Sequence, residues 1–475
     1  MVGGTIPTLK VWTIFFGVLA LATLGGRVED FDDAWFAEQS YWLLKNGYVR
    51  SEFFRGMLGW ERQLFVYHKL FVWLGAGLMW LTGISVYGSK LISLLFGLLW
   101  FFYNYLYFRR KGQLLGSWWS ALLLFTNGLF IEYVFVNRPE VMVATLGFIS
   151  FYYLTSPTRH HWIWGAIAGG LAALTHLNGL VFLMAGGLWL LTKRRWIEAL
   201  GWGVIGSIVL SFYFTDVITQ NAWPVWWYQF HYDPATRAIF GWQAKLGIMF
   251  SLHELLFHSE EEVAVSLLII SCAWFGRKHL QTLKNEWQYG LWLMASFALI
   301  TKSNYWYYYV LFLPIAIVFV TNLLMMLNLK KSWLSVALVG YCLVGVVKVS
   351  KIFYLNYTTP ALVSANKNLT RYLPKNHVRV LAPLSFFYNQ VEHYDIQGDF
   401  YYVLRNENDF AGQRLSSSFF AEIKQQHIQY VILERSRWQS YANLPLPIPR
   451  RLDGFRVSYQ DKNYVMLVRE GRLVK

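Results

Sequence analysis

Long uninterrupted apolar runs, rather than alternation, set the pattern of this chain. They fall at about 11–24, 87–108, 114–135, 141–154, 162–177, 179–191, 199–217, 263–275, 289–300, 305–327 and 333–349. Inside hydrocarbon only a helix satisfies its own backbone within a single segment, so each run is read as helical. Several are shorter than the roughly 20 residues of a full span. About eleven crossings are expected. The stretch 45–85 breaks the pattern: Arg50, Glu52, Arg55, Glu61, Arg62 and Lys69 interrupt aliphatic and aromatic sequence. Helices lying along an interface suit such a mixture better than a span. Gly179 divides two of the short runs, and His176 and Asn178 beside it are polar enough to line a cavity.

After Tyr354 the composition shifts to ordinary soluble usage. Strands are predicted at 378–381 and 430–433, helices at 362–372 and 419–426, and a hairpin from runs 455–459 and 464–468 separated by Gln460, Asp461, Lys462 and Asn463. The expected organisation is an α-helical polytopic membrane part over 1–354, with outer segments at 25–86 and 220–262. A small α/β domain at 355–475 follows.

Composition sharpens this picture. With 56% hydrophobic and 15% charged residues, the 475-residue chain is far more apolar than a soluble enzyme. The 24 Trp and 30 Tyr exceed the needs of a core and suit the headgroup level. Basic clusters at Arg109–Lys111, Arg159, Lys193–Arg195, Arg277–Lys278 and Lys330–Lys331 fall at every second boundary. By the positive-inside bias these face the cytoplasm, with the N-terminus inside and the C-terminus outside. Reading 70–81 as a span would break that alternation. The run 11–24 is taken as a first span rather than a signal peptide, because cleavage would release the acidic stretch that follows from its anchor. The formal charge of +15 is explained by anionic headgroups. No basic stripe or nucleic-acid motif accompanies it, so nucleic acid is not an expected partner. Cys272 and Cys342 lie in apolar runs and imply neither a disulfide framework nor a thiolate metal site.

The chemistry is expected at Glu29, Asp30, Asp32 and Asp33, placed directly after the first span. Acids are costly near hydrocarbon, and several together point to a water-filled cavity where they act. Helix capping is the plainer alternative, and it needs only one of them. Asp32, with Asp33 and Asp30 as neighbours, is the candidate base. Arg62, Lys69, Arg138 and Lys302 are candidate cations for a phosphate. Glu61, His68, Glu140, His176 and Asn178 are candidate substrate contacts. Glu254 and His258, at helical spacing, raise the possibility of a divalent metal, although an exposed polar loop explains them more cheaply.

Asp32-Asp33-Ala34-Trp35-Phe36-Ala37-Glu38 resembles the Asp-Glu-Ala-Arg-Tyr-Ala-Glu signature after the first span of lipid-linked glycosyltransferases of the C-type membrane fold. That group includes protein O-mannosyltransferases and the aminoarabinose transferase of lipid A. Trp60-Glu61-Arg62-Gln63, preceded by Gly56, is similar to the Phe-Glu-Lys-Pro of the bacterial members at the same spacing. Similar later blocks are Arg138-Pro139-Glu140, Leu174 to Gly179 and Lys302 to Pro314. Trp35 stands where the signature has arginine, and Arg62 where it has lysine. The resemblance implies the C-type glycosyltransferase fold and inverting transfer of a sugar from a polyprenyl-phosphate carrier to a glycan, lipid or protein hydroxyl. It also implies Asp32 as base, cations at the phosphate, and a bacterial inner membrane with the site on the extracytoplasmic side. A flippase for the same lipid and a membrane-anchored envelope assembly protein are the rival classes.

Overall fold

The computed structural model describes residues 5–233, 242–301, 306–327, 332–359, 362–375, 378–407, 419–441 and 444–470. The apolar runs, and two stretches between the first two of them, fold as helices: α1 Thr5–Ala22, α2 Phe31–Asn46, α3 Lys69–Thr82, α4 Val86–Arg110, α5 Leu114–Phe125, α6 Gly128–Tyr133, α7 Glu140–Leu154, α8 His161–Thr175, α9 Leu180–Thr192 and α10 Trp196–Ser211. Further helices run over Glu260–Phe275, Lys284–Ile300, Leu313–Met326 and Ser332–Thr358. Among the described residues three helical stretches, Val86–Arg110, Trp196–Thr219 and Trp333–Thr358, are each long and apolar enough to cross a membrane.

The shorter helices are short because polar residues break them. Thr126 and Asn127 separate α5 from α6, and Asn127 caps α6 by accepting from the Phe130 N–H at 2.8 Å. His176 separates α8 from α9. Broken helices are tolerated at membrane depth where protein or a cavity satisfies the freed backbone. The stretch 70–81, read as interfacial, forms α3, whose 14 residues reach only about 21 Å at 1.5 Å per residue. Helix α7 has no polar face: 13 of its 15 residues are buried, so it lies at the centre of the bundle. Helix α10 instead exposes Ile197 and Leu200, as a lipid-facing helix does.

The C-terminal sheet comprises β1 Arg379–Ala382, β2 Asp395–Gly398, β3 Tyr430–Glu434, β4 Arg451–Leu452, β5 Phe455–Gln460 and β6 Tyr464–Arg469, in the order β2-β1-β3-β6-β5-β4. β1 is parallel to β2 and β3, while β3, β6, β5 and β4 pair antiparallel. The expected strands and hairpin are β1, β3, β5 and β6. β2 carries no strand signal in the sequence, since Asp395-Ile396-Gln397-Gly398 lacks apolar alternation. The helix Phe400–Glu407 is not among the expected elements either.

This sheet shares one core with the membrane-proximal segments. Ala34, Ala37, Tyr41 and Phe53 pack in the same buried cluster as Val380, Leu381, Phe387 and Tyr402. Polar contacts fix the seam. The Gly398 N–H donates to the Phe53 carbonyl at 3.0 Å, Arg55 pairs with Asp395 at 3.3 Å, and the Tyr388 hydroxyl donates to the Asp33 carbonyl at 2.8 Å. The helix Phe400–Glu407 is thereby held over α2, with the Phe31 and Phe400 rings 4.2 Å apart.

Candidate active site

Three acids within four residues at the start of α2 have three different jobs. Asp30 is the N-cap: its carboxylate accepts from the Asp32 N–H at 3.0 Å, and its own N–H donates to Asp33 at 2.7 Å. Reciprocal capping of this kind satisfies donors a helix leaves orphaned. Asp33 points inward, is fully buried, and pairs with the equally buried Lys90 of α4 at 2.9 Å. It also accepts from the Asn137 N–H at 2.6 Å. Asp32, one residue earlier and so about 100° around the helix, faces a cavity with its side chain 21% exposed. The capping explanation therefore applies to Asp30 and not to Asp32.

Lys90 and Asp33 are a buried pair on whose mutual neutralisation the entry to α2 depends. Replacing Lys90 with Met leaves a buried carboxylate without its counter-ion, a change that typically destabilises by about 3–5 kcal/mol. We expect Lys90→Met to lower the thermal unfolding midpoint in detergent clearly, and Lys90→Met with Asp33→Asn to recover much of the loss. A single variant as stable as the double would show that the pair does not hold this corner.

The cavity, of about 710 Å³, is walled by α2, the segment 54–68, the loop before α7, the α8–α9 break and the helix Phe400–Glu407. Arg138 is its centre of charge. One guanidinium nitrogen binds Asp32, while Nε and Nη2 fork onto Glu140 at 3.1 and 2.8 Å. The guanidinium also lies 4.4 Å over the Tyr307 ring. A bidentate Arg–carboxylate pair is geometrically specific. Three of the five guanidinium N–H groups are thus engaged among the described residues, and Asp32 is held at a fixed angle. Burial pushes the Asp32 carboxyl up to about 6, with Arg138 pulling the other way.

Two histidines form the opposite wall. The His68 and His176 rings stack at 4.3 Å, and His176 Nδ1 accepts from the Asn178 N–H at 2.9 Å. That bond assigns the His176 ring proton to Nε2 in its neutral form. Burial holds the His68 imidazole well below its usual pKa, and His176 and Arg138 add to the effect. Two neutral rings stack without repulsion.

The structure thus brings Asp32, His68, Arg138, Glu140, His176 and Asn178 to one cavity. Lys69 is buried just behind the wall, paired with Asp216 at 2.5 Å and 3.7 Å over the ring of Tyr67, itself a lining residue. Glu61 accepts from the Gly56 N–H at 3.1 Å, Arg62 is exposed, and neither lines the cavity. Lys302 lies outside the described residues. Of the acids in the 220–262 segment, Glu262 caps its own helix by accepting from the Ser259 N–H at 2.9 Å, and Glu261 pairs with Lys348 of the helix Ser332–Thr358 at 3.2 Å. Among the described residues no group of three or more His, Cys, Asp or Glu is placed to hold a metal ion.

Sequence reasoning missed Gln39, Trp60, Tyr308 and Phe400, all of which line the cavity. Gln39 was legible in principle, because Asp32, Trp35, Phe36 and Gln39 follow helical spacing on one face. Phe400 carried no signal, coming from a domain more than 350 residues downstream of the acids.

No protein-family model and no curated protein sequence matches the chain. Solved structures do. ArnT from Cupriavidus metallidurans bound to undecaprenyl phosphate superposes with a TM-score of 0.67 at 12% identity, covering 96% of this chain and 97% of that one. The same protein in the apo state gives 0.62 with the same coverage and identity. The chain is therefore a polytopic membrane protein of the C-type glycosyltransferase fold, matched from end to end. The fold agrees with the signature at the start of α2.

Proposed function

We propose that the protein transfers a sugar from a polyprenyl-phosphate carrier to an acceptor hydroxyl at the outer face of the membrane, inverting the anomeric carbon, with Asp32 as the base. The observation that carries this reading is the placement of Asp32: a carboxylate held by Arg138 at the edge of a membrane-associated cavity. The likeness to a fold seen with undecaprenyl phosphate supports it. In the proposed step the acceptor oxygen attacks the anomeric carbon from the side opposite the phosphate. Its proton passes to Asp32 while the carbon–oxygen bond to phosphate breaks, and that electron pair leaves with the phosphate. Removing the proton during attack avoids an oxonium, and general-base help of this kind is worth about two to four powers of ten in rate.

The leaving phosphate needs cations rather than a proton. We assign it to the two N–H groups of Arg138 that are unengaged among the described residues rather than to Arg62, because Arg62 is exposed and off the cavity wall; Lys69, behind the wall and paired with Asp216, adds positive field without touching the phosphate. Burial lowers the Lys69 ammonium to about 8, which leaves it mostly charged near neutrality. Histidines kept neutral at His68 and His176 offer hydrogen bonds to substrate hydroxyls without competing for the phosphate.

The test is reconstitution of the purified protein with a panel of polyprenyl-phosphate sugars and cell-envelope acceptors, the configuration of the product being read by NMR. Consumption of the lipid-linked sugar with an inverted product is expected, and no consumption across the panel would sink the reading. Sidedness is checked with the same chain carrying a single introduced cysteine. Arg62→Cys should react with an impermeant thiol reagent added outside cells, and Arg159→Cys should not.

A further inference from the structure

Beyond Asp32 the cavity wall changes from charged to aromatic. Gln39 stands two turns along α2 from Asp32, and Trp35 lies between them. Phe54 and Trp60 face them from the following segment: Trp35 and Phe54 meet edge-on at 4.5 Å, and Trp35 and Trp60 are 5.6 Å apart. All four line the cavity. Glu38 holds this wall rigid, accepting from the Glu52 and Phe53 N–H groups at 2.6 and 3.1 Å and from the Ser51 hydroxyl at 2.7 Å.

Two polar atoms here have no hydrogen-bond partner among the described residues. Gln39 Oε1 and Trp60 Nε1 are buried with no hydrogen-bond partner, in residues that are only 2% and 4% exposed. Buried polar atoms are nearly always paired, so an acceptor and a donor buried unpaired in two residues that line one cavity point to a ligand that supplies both. A prenyl chain supplies neither. A phosphate oxygen accepts but does not donate to Gln39 Oε1. A hydroxyl does both, and the C–H face of a sugar ring is the apolar surface that an indole wall accommodates.

We propose that Trp35, Gln39, Phe54 and Trp60 form the subsite for the sugar ring of the donor, and that this sugar is uncharged. The proposal rests on the lipid-linked transfer reading above. None of the four side chains is charged; the charged residues that line the cavity, Asp32, Arg138, Glu140 and Asp233, lie outside this set, with Arg138 assigned to the phosphate. A carboxylate or ammonium on the ring would be desolvated against this wall without a counter-ion. Trp35 occupies the position where the resembling signature has arginine, so an aromatic surface replaces a cation.

The experiment measures binding by the purified full-length protein in nanodiscs of undecaprenyl phosphate and of the same lipid bearing glucose, galactose, mannose, glucuronate or glucosamine. At least one neutral sugar should bind roughly tenfold tighter than either charged one. Trp60→Phe keeps the ring and removes the N–H; Gln39→Leu keeps the bulk and removes the acceptor. Each should weaken the preferred neutral-sugar lipid roughly fivefold to tenfold, the effect of one hydrogen bond, and leave undecaprenyl phosphate within about twofold. The bare carrier doubles as the folding control. Equal weakening of bare and sugar-bearing lipid, no weakening of either, or preference for a charged sugar overturns the subsite alone. Failure of the wild type to bind any of these lipids overturns the transfer reading and the subsite with it.

Discussion

Asp32→Asn should reduce lipid-linked sugar turnover by about a hundredfold or more, the size of a general-base loss, with donor affinity little changed. Asparagine keeps the shape and one acceptor for Arg138 but takes no proton. Its neighbours separate the interpretations. Asp30→Asn should be nearly silent, because asparagine caps a helix as well as aspartate does. Asp33→Asn should instead lower the yield and thermal stability of folded protein, since Lys90 would lose its buried partner. Turnover per folded molecule should then fall far less than in Asp32→Asn. Measuring turnover, donor binding and unfolding for all three decides the matter. A nearly active Asp32→Asn beside a well-folded, inactive Asp33→Asn would move the base one residue along.

Arg138 offers the second large effect, and its sign is set by charge. In the wild type the Asp32 carboxyl, raised to about 6 by burial, is ionised above that pH and competent as a base. Activity should therefore fall as pH drops through about 6. Arg138 opposes the rise, so Arg138→Gln should move the acid limb of kcat/KM to higher pH by at least about one unit, in line with the effect of an opposite charge at contact. Near pH 7 a one-unit shift costs about twofold through the ionised fraction of Asp32, and loss of the proposed phosphate contact should bring the total to about tenfold or more; only the first part should return at higher pH. Arg138→Lys keeps the charge but not the fork onto Glu140. It should leave the limb nearly in place while still impairing turnover. A pH–rate profile whose acid limb stays put in Arg138→Gln would remove Asp32 as the titrating group.

The membrane character and the helix-by-helix layout were legible because hydrocarbon imposes a one-dimensional code: a run long and apolar enough must be a helix, wherever its neighbours lie. The hairpin formed by β5 and β6 was equally local, two alternating runs around a polar turn. Asp32 itself was visible as one of a crowd of acids, and the family-like signature singled it out. What local sequence did not contain was the division of labour among those acids. Asp33 is structural because Lys90 comes from another helix and Asn137 from the loop before α7. Asp32 is tuned because Arg138, over a hundred residues away, reaches it. Arg62 was drawn to the site by its spacing from Asp32, yet the turn from Glu61 to Gln63 leaves its side chain in solvent. The cavity roof came from still further off, in Phe400 and Leu404 of the C-terminal domain. Sequence alone determined which segments are apolar helices and which residues are chemically able to act. The tertiary structure decided which of them face one another, because burial, ion pairing and the desolvation that sets a carboxyl's basicity are properties of neighbours brought together in space, not of position along the chain.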